Sequence, residues 1–235
     1  MTPSPTYNVV YHVTTMNHWQ AIFDEQLEAL GANRHIKALY VTVGATSDSS
    51  LATATEVLAG LRTRLPGVPS IPMACRPDAY EHTALTMVDD LARADRAAVL
   101  YFHMKGVSYS PPRPLMENWR RYLNDFIARA DQWADFLSRE PYDACGPLLL
   151  HDESHGITYF AGNFWLARAE YLRELPRYAH FIRAPGLKTF SPGSRHLAEV
   201  AVNRTGRMRG YATDGTSLTR NVDTPTALAI RQCVE

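Results

Sequence analysis

Apolar residues along this chain recur with two different periods, and each change of period marks a change of element. The apolar-rich run from Tyr7 to Val13 predicts a first strand, after which Trp19, Ile22, Phe23, Leu27 and Leu30 recur at three and four residues, as in an amphipathic helix. Ala38 to Val43, closed by Gly44, predicts a second strand, and the alanine-rich segment from about Ser50 to Leu65 a second helix. This β-α-β order implies a right-handed crossover and a parallel sheet. Prolines around Val68 to Ala74 restrict that segment to an edge strand or a loop. Tyr80 to Ala94 is helical again and leads into Ala97-Ala-Val-Leu-Tyr-Phe-His-Met-Lys-Gly106, an apolar run that ends abruptly in polar groups.

Such a run suits a parallel strand covered on both faces. Ligands of open α/β sheets sit outside the carboxyl ends of their strands, which is where His103 and Lys105 would stand. Gly106 would let the backbone turn closely past whatever is bound. Ser108 to Pro114 is too proline-rich for a regular element and reads as a loop beside the site. Met116, Trp119, Leu123, Phe126, Ile127, Ala130, Trp133 and Leu137 predict one long amphipathic helix ending before Pro141. Leu148 to Leu150 predicts a further strand, Thr158 to Gly162 leads into a helix over about Leu166 to Leu175, and a last helix falls around Arg195 to Asn203. The fold class expected is α/β: a mostly parallel, Rossmann-like sheet with helices on both faces.

Length and charge narrow the reading. With 235 residues and 46% hydrophobic content, a single domain over 1–235 is expected. Twenty-four basic residues balance 24 acidic ones, so no global field draws the chain to nucleic acid or an anionic membrane, and any anion site must be local. Only three residues are Lys, at 37, 105 and 188, which makes the placing of Lys105 informative. Cys75, Cys145 and Cys233 lie far apart without metal-ligand spacing. With neither a secretory leader pattern nor a long apolar run, a cytoplasmic protein with no integral membrane segment is expected.

Several residues have chemistry suited to a site. Lys105 offers a point charge for phosphates and His103 a hydrogen-bonding partner. His12 and Thr14 end the first strand, and Gly44 the second, where a parallel sheet of this order would receive a base and ribose. Glu81 opens a helix, whose dipole it favours. Arg120, near the start of the long helix, can reach an anionic ligand, while Trp119 beside it belongs to the core. In His151-Asp-Glu-Ser-His155, alternation places His151, Glu153 and His155 on one face. Either His151, Asp152 and His155 bind zinc or another divalent ion, or the segment is a solvated loop. In Gly162-Asn-Phe-Trp165 the amide of Asn163 can bond sugar hydroxyls and the indole can stack on a pyranose; alternatively Asn163 caps the next helix and the aromatics fill the core. Glu199 forms an i,i+4 pair with Arg195 or serves as a catalytic carboxylate.

Tyr11-His-Val13, Tyr80-Glu81, Tyr101-Phe-His-Met-Lys-Gly106, Asn118-Trp-Arg120, Tyr142-Asp143 with Gly146, Gly162-Asn-Phe-Trp165, and Arg195 with Glu199 occur in an order that resembles a group of bacterial glycosyltransferase-like proteins of polysaccharide and glycoconjugate pathways. Met104 and Ala161 stand where that group usually has hydroxyl residues, and Leu166 where it has Trp. The resemblance implies a GT-A-like fold in which about 7–106 binds a nucleotide-sugar donor and about 107–220 shapes the site for a saccharide or small-molecule acceptor. It implies donor contacts from His12, Thr14, Gly44, Glu81, Lys105 and Gly106, and acceptor contacts from Arg120, Gly162, Asn163 and Trp165. Catalytic roles fall on His103, Lys105 and Glu199, with a general base from Asp152 or Glu153. Where many such enzymes carry Asp-x-Asp to hold manganese or magnesium, this chain has His103 and Lys105. A lysine repels a divalent cation and itself neutralises a departing diphosphate, so transfer without metal is expected. The alternatives are a non-catalytic nucleotide- or carbohydrate-binding protein, and a metal hydrolase built on His151, Asp152 and His155.

Overall fold

The computed structural model describes residues 4–45, 50–75, 81–152, 157–183, 196–205, 207–213 and 217–219. Strand β1 (Tyr7–Thr15) is buried over its first seven residues on both faces, polar Asn8 and His12 included, because it lies inside the sheet. The chain continues through α1 (Trp19–Gly31), β2 (Ile36–Ala45), α2 (Ser50–Arg64), β3 (Ser70–Cys75), α3 (His82–Ala94) and β4 (Ala98–His103). Then come α4 (Pro114–Ala128), α5 (Ala130–Arg139), β5 (Ala144–Gly146), β6 (Leu149–Asp152), β7 (Ile157–Phe160), β8 (Trp165–Ala167), α6 (Ala169–Glu174), α7 (Tyr178–Phe181), α8 (His196–Glu199), β9 (Gly210–Ala212) and β10 (Ser217–Thr219).

The main sheet runs β3-β2-β1-β4-β8-β5-β9, and a second sheet runs β10-β6-β7. In the main sheet β3, β2, β1 and β4 are mutually parallel, while β8 is antiparallel to both β4 and β5. The expected α/β class, a mostly parallel sheet between helices, is therefore observed. Alternation along the central strands splits the core in two. Tyr11, Val41 and Phe102 pack with Phe23, Leu27, Leu123 and Phe126 on one face, and Val10, Val99 and Tyr101 pack with Leu85, Val88, Trp165 and Tyr178 on the other. Each such side chain contributes about 1.5–3 kcal/mol by leaving water, and this holds the strand tips in fixed positions.

The segment around Pro72 is the edge strand β3, so the proline costs no ladder bond inside the sheet. Two expectations are corrected. The long helix is two helices, broken at Arg129 (φ −108°, ψ 19°), although Phe126 and Trp133 still stack across the bend and continue the same apolar stripe. Leu166 and Ala167, expected to open a helix over about Leu166 to Leu175, belong instead to the interior strand β8, and the helix begins at Ala169. Arg195 lies outside the described residues. Among the described residues, no helix is long and apolar enough to cross a membrane.

Candidate functional site

The first three strands wind away from β1 on one side and β4 pairs with its other side, so strand order reverses between β1 and β4, where α/β sheets bind ligands. There, at the carboxyl ends of the two strands, lies a cleft of about 380 Å³. His12 and His103, exact partners in the β1–β4 register, stand side by side on its floor, with Thr14, Glu81, Lys105 and Gly106 around them and Glu199 contributed from α8. Most of the donor-site residues expected from sequence are thus brought together, with Glu199 added from far along the chain.

A chain of hydrogen bonds fixes this floor. Gln26 on α1 is completely buried; it accepts from the Tyr11 hydroxyl (2.7 Å) and its Nε2 donates to the His103 carbonyl (2.9 Å), pinning the end of β4. His103 Nε2 donates to the Gly162 carbonyl (2.9 Å), and its Nδ1 lies 3.5 Å from Glu81 Oε1. Glu81 Oε2 accepts from the Tyr101 hydroxyl and from Asn163 Nδ2, both at 2.7 Å. Burial alone would raise the Glu81 carboxyl, but His103, the Tyr101 hydroxyl, His12 and the Asn163 amide together hold it below the usual carboxylate range. Glu81 therefore does far more than favour a helix dipole: it ties α3, β4 and the turn before β8 into one unit.

His12 has the opposite electrostatics. Burial, only partly offset by Glu81, pushes its imidazole down to about 4, so it is neutral near pH 7 and shares hydrogen bonds with Thr42 (Nδ1, 2.8 Å) and Thr14 (Nε2, 3.3 Å). In the unfolded chain the same ring titrates near 6.5, so between those values the unfolded state binds more protons and stability falls as pH falls. Melting temperature is expected to drop as pH is lowered from about 6.5 to about 4, and to drop less in His12→Asn. Parallel melting curves of the two proteins across that range would refute the assignment.

The loop after β4 is built to present Lys105. Its amide donates to the His103 carbonyl (3.0 Å), Gly106 takes φ +86°, and the Tyr109 amide closes onto the Gly106 carbonyl (3.2 Å). Asn17, itself left-handed at φ +48°, donates Nδ2 to the Val107 carbonyl (2.8 Å), and the Arg113 guanidinium lies 4.3 Å over the Tyr109 ring. Lys105 is half-buried, and its ammonium makes no ion pair or hydrogen bond among the described residues.

The expected acceptor residues are not displayed to a ligand. Asn163, at φ +57° and 1% exposed, donates to Glu81 and accepts from Trp165 Nε1 (2.9 Å), so both ends of its amide are occupied. Trp165 is equally buried and packs on Tyr101 (5.1 Å), which leaves no face for a sugar; Gly162 lies against Leu123 and Trp119. These three residues position the site. Arg120 is ion-paired through Nε to Glu25 (3.0 Å). Gly44 is buried, a Cβ built there would meet the His12 ring at 3.6 Å, and it does not line the cleft. His151 is hydrogen-bonded to the Thr158 hydroxyl (2.8 Å) in the second sheet, and the Asp152 backbone lies there in β6. Glu153 and His155 lie outside the described residues.

A cation of the Asp-x-Asp kind does not fit this floor. Glu81 has its oxygens taken up by Tyr101, Asn163 and His103, and the adjoining group is an ammonium. Among the described residues, no set of three or more His, Cys, Asp or Glu is placed to hold a metal ion.

Solved structures of similar shape include a 4-diphosphocytidyl-2C-methyl-D-erythritol synthase (13% identity, all of both chains covered, TM-score 0.44). Others are the glycosyltransferase GlyE of Streptococcus pneumoniae TIGR4 (11% identity, 89% of this chain and 45% of that one, TM-score 0.45) and mouse xyloside xylosyltransferase 1 (11% identity, 89% and 79%, TM-score 0.36). At this identity and overlap, nothing about the chemistry of this chain follows from them. No curated protein matches the sequence. The family described as Domain of unknown function (DUF8361) matches residues 6–209, nearly the whole α/β unit with its cleft, and the chain belongs to that family.

Proposed function

We propose that the cleft at the ends of β1 and β4 binds a nucleotide-sugar and that the protein transfers its glycosyl group to a hydroxyl of a saccharide or small-molecule acceptor, without a divalent metal. One observation carries this reading: the half-buried Lys105, free of any protein partner among the described residues, stands on a glycine turn at the strand-order reversal. A cation held there suits a diphosphate, and its charge counts for more as the bond to the leaving group stretches. The resemblance of the motifs to glycosyltransferase-like proteins supports the same assignment, as does a cleft whose lining runs from His12 to Trp119 and includes Glu199.

In the transfer, the acceptor oxygen bonds to the anomeric carbon while the bond from that carbon to the phosphate oxygen breaks. The electron pair leaves with the diphosphate, where Lys105 balances it, and the acceptor proton passes to a base. Glu81 is a weak base, held below the ordinary carboxylate range and already hydrogen-bonded, so its role is to position. Glu199, half-buried in the cleft, is the carboxylate assigned to the proton.

Titration calorimetry with UDP-, GDP-, dTDP- and CDP-sugars, with and without manganese, tests the donor site. Saturable binding of one of them independent of metal is expected, weakened about tenfold or more in Lys105→Ala without a change in melting temperature. Wild-type affinity in that variant, or no binding by the wild type, overturns the reading. Glu199→Gln should keep donor binding and lose turnover; turnover undetectable in the wild type across a broad acceptor set would instead favour a binding protein of the same fold.

A further inference from the structure

We infer that the acceptor for this transfer is an apolar alcohol or phenol rather than a saccharide, its apolar body lying on a methionine wall of the cleft; this rests on the nucleotide-sugar reading above. Five lining residues are apolar and come from three separate stretches: Met16 after β1, Met104 and Val107 after β4, and Met116 and Trp119 on α4. All five pack in the core layer on the α1 and α4 side of the sheet. The two carboxylates that line the cleft come from the opposite layer. Glu81 stands at the start of α3 and Glu199 in α8, and Leu85 and Leu197 of those helices pack on the other face. His12 and His103 mark the boundary at the strand tips, so the cleft has an apolar flank and a carboxylate flank.

The wall is fixed before any ligand arrives. The Met16 carbonyl accepts from the Trp19 amide (3.1 Å), and Asn17, the next residue, donates to the Val107 carbonyl (2.8 Å), which joins the turn after β1 to the turn after β4. Met116 packs against that second turn: a Cβ built on Gly106 would stand 3.5 Å from the Met116 Cβ. Met104, Val107 and Trp119 are almost fully buried, whereas Met16 and Met116 are half-buried and keep surface for a ligand. Apart from the Trp119 indole N–H, the five side chains offer no hydrogen-bonding group. A sugar ring carries hydroxyls around its edge, and seating it on this wall would strand them unpaired. An aryl or alkyl group carries none, and methionine, unbranched and polarisable, adapts to its shape. The acceptor hydroxyl, directed away from the wall, meets the carboxylate flank. There Glu199 takes its proton as the oxygen bonds to the anomeric carbon and the diphosphate leaves with the electron pair.

The test titrates 2-naphthol, followed by its fluorescence, and methyl β-glucoside, followed by calorimetry, into the wild type, Met16→Gln, Met116→Gln and Met116→Leu. Each titration is run with and without UDP, GDP, dTDP and CDP, and each protein is also titrated with the corresponding nucleotide-sugars. 2-Naphthol is expected to bind the wild type saturably and about tenfold more weakly in either Gln variant, because an amide of similar size replaces apolar contact. Met116→Leu, which keeps the volume and the apolar surface, should stay within about twofold of wild type. Donor affinity and melting temperature should be alike in all four proteins, which excludes a general loss of structure, and methyl β-glucoside should not bind. Equal 2-naphthol affinity in the Gln and Leu variants, or saturable binding of methyl β-glucoside in its place, overturns the proposal. Donor binding with no 2-naphthol binding under any condition overturns this inference alone. Methionine-dependent 2-naphthol binding with no donor binding overturns the nucleotide-sugar reading, and the acceptor role with it.

Discussion

Glu81→Ala is expected to lower the melting temperature by roughly 6–12 °C and to abolish nucleotide-sugar binding. The carboxylate is the shared acceptor of the Tyr101 hydroxyl and the Asn163 amide and faces the His103 ring. Removing it strands buried donors, at a cost of about 3 kcal/mol in all, and a protein of this size loses about 2–4 °C for each kcal/mol. The turn that holds Asn163 left-handed loses its anchor at the same time, and with it the carbonyl that His103 bonds. Glu81→Gln keeps the shape and an acceptor oxygen and should do less damage to stability than to binding. Calorimetric melting of both variants alongside donor titration checks this. A Glu81→Ala protein that melts within two or three degrees of wild type and still binds would remove Glu81 from the centre of the site.

The second large effect lies away from the cleft. The side chains of Asp89 on α3 and Arg204 are each 2% exposed and paired at 2.6 Å. Asp89 also accepts from the Tyr178 amide, and Arg204 donates to the carbonyls of Pro176 and Ala201. Removing Asp89 leaves Arg204 charged and dry, while removing Arg204 leaves Asp89 facing only Arg93 at 4.0 Å, so Asp89→Ala should cost about 3–5 kcal/mol, or roughly 6–20 °C in melting temperature, and Arg204→Ala somewhat less. Removing both together should cost much less than the sum, because no buried charge remains unpaired except the part-exposed Arg93. Strict additivity in a double-mutant cycle would contradict this account. The pair fastens the segment that carries α8, so each single variant should also weaken whatever depends on Glu199.

The parts of the fold legible in the sequence are those where pattern and position agree. β1, α1, β2 and β4 follow from apolar runs and three-four spacing because each buries what its pattern says it should. The bend at Arg129 has no such signal: no glycine or proline stands there, and the apolar spacing passes through it undisturbed because both helices pack on the same core. Leu166 and Ala167 fail for the opposite reason, since the three consecutive apolar residues from Trp165 fit a strand and a helix equally, and only pairing with β4 and β5 decides. In the site, His12, His103 and Lys105 could be found because they stand at or near the carboxyl ends of apolar strand runs. Gln26 could not, because a polar residue on an amphipathic helix reads as solvent-facing until the Tyr11 hydroxyl and the His103 carbonyl are seen to meet it. Asn163 and Trp165 have the chemistry of sugar contacts and are instead spent on each other and on Glu81, a distinction only burial makes.

The place of β8 bears on how the chain is made. β4 pairs with β1 on one side, but its other edge is covered by β8, about sixty residues later in the sequence. A chain emerging from the ribosome can assemble β1 to β4 with their helices, yet until residues 165–167 arrive the edge of β4 carries open N–H and C=O groups beside an apolar strand, the kind of edge that recruits other chains. The cleft floor is incomplete for the same interval, since the carbonyl that receives His103 belongs to Gly162. Synthesis therefore passes through a sticky half-sheet that cannot yet bind its ligand, and a truncation between β4 and β8 should be recovered as aggregate rather than as a working donor domain.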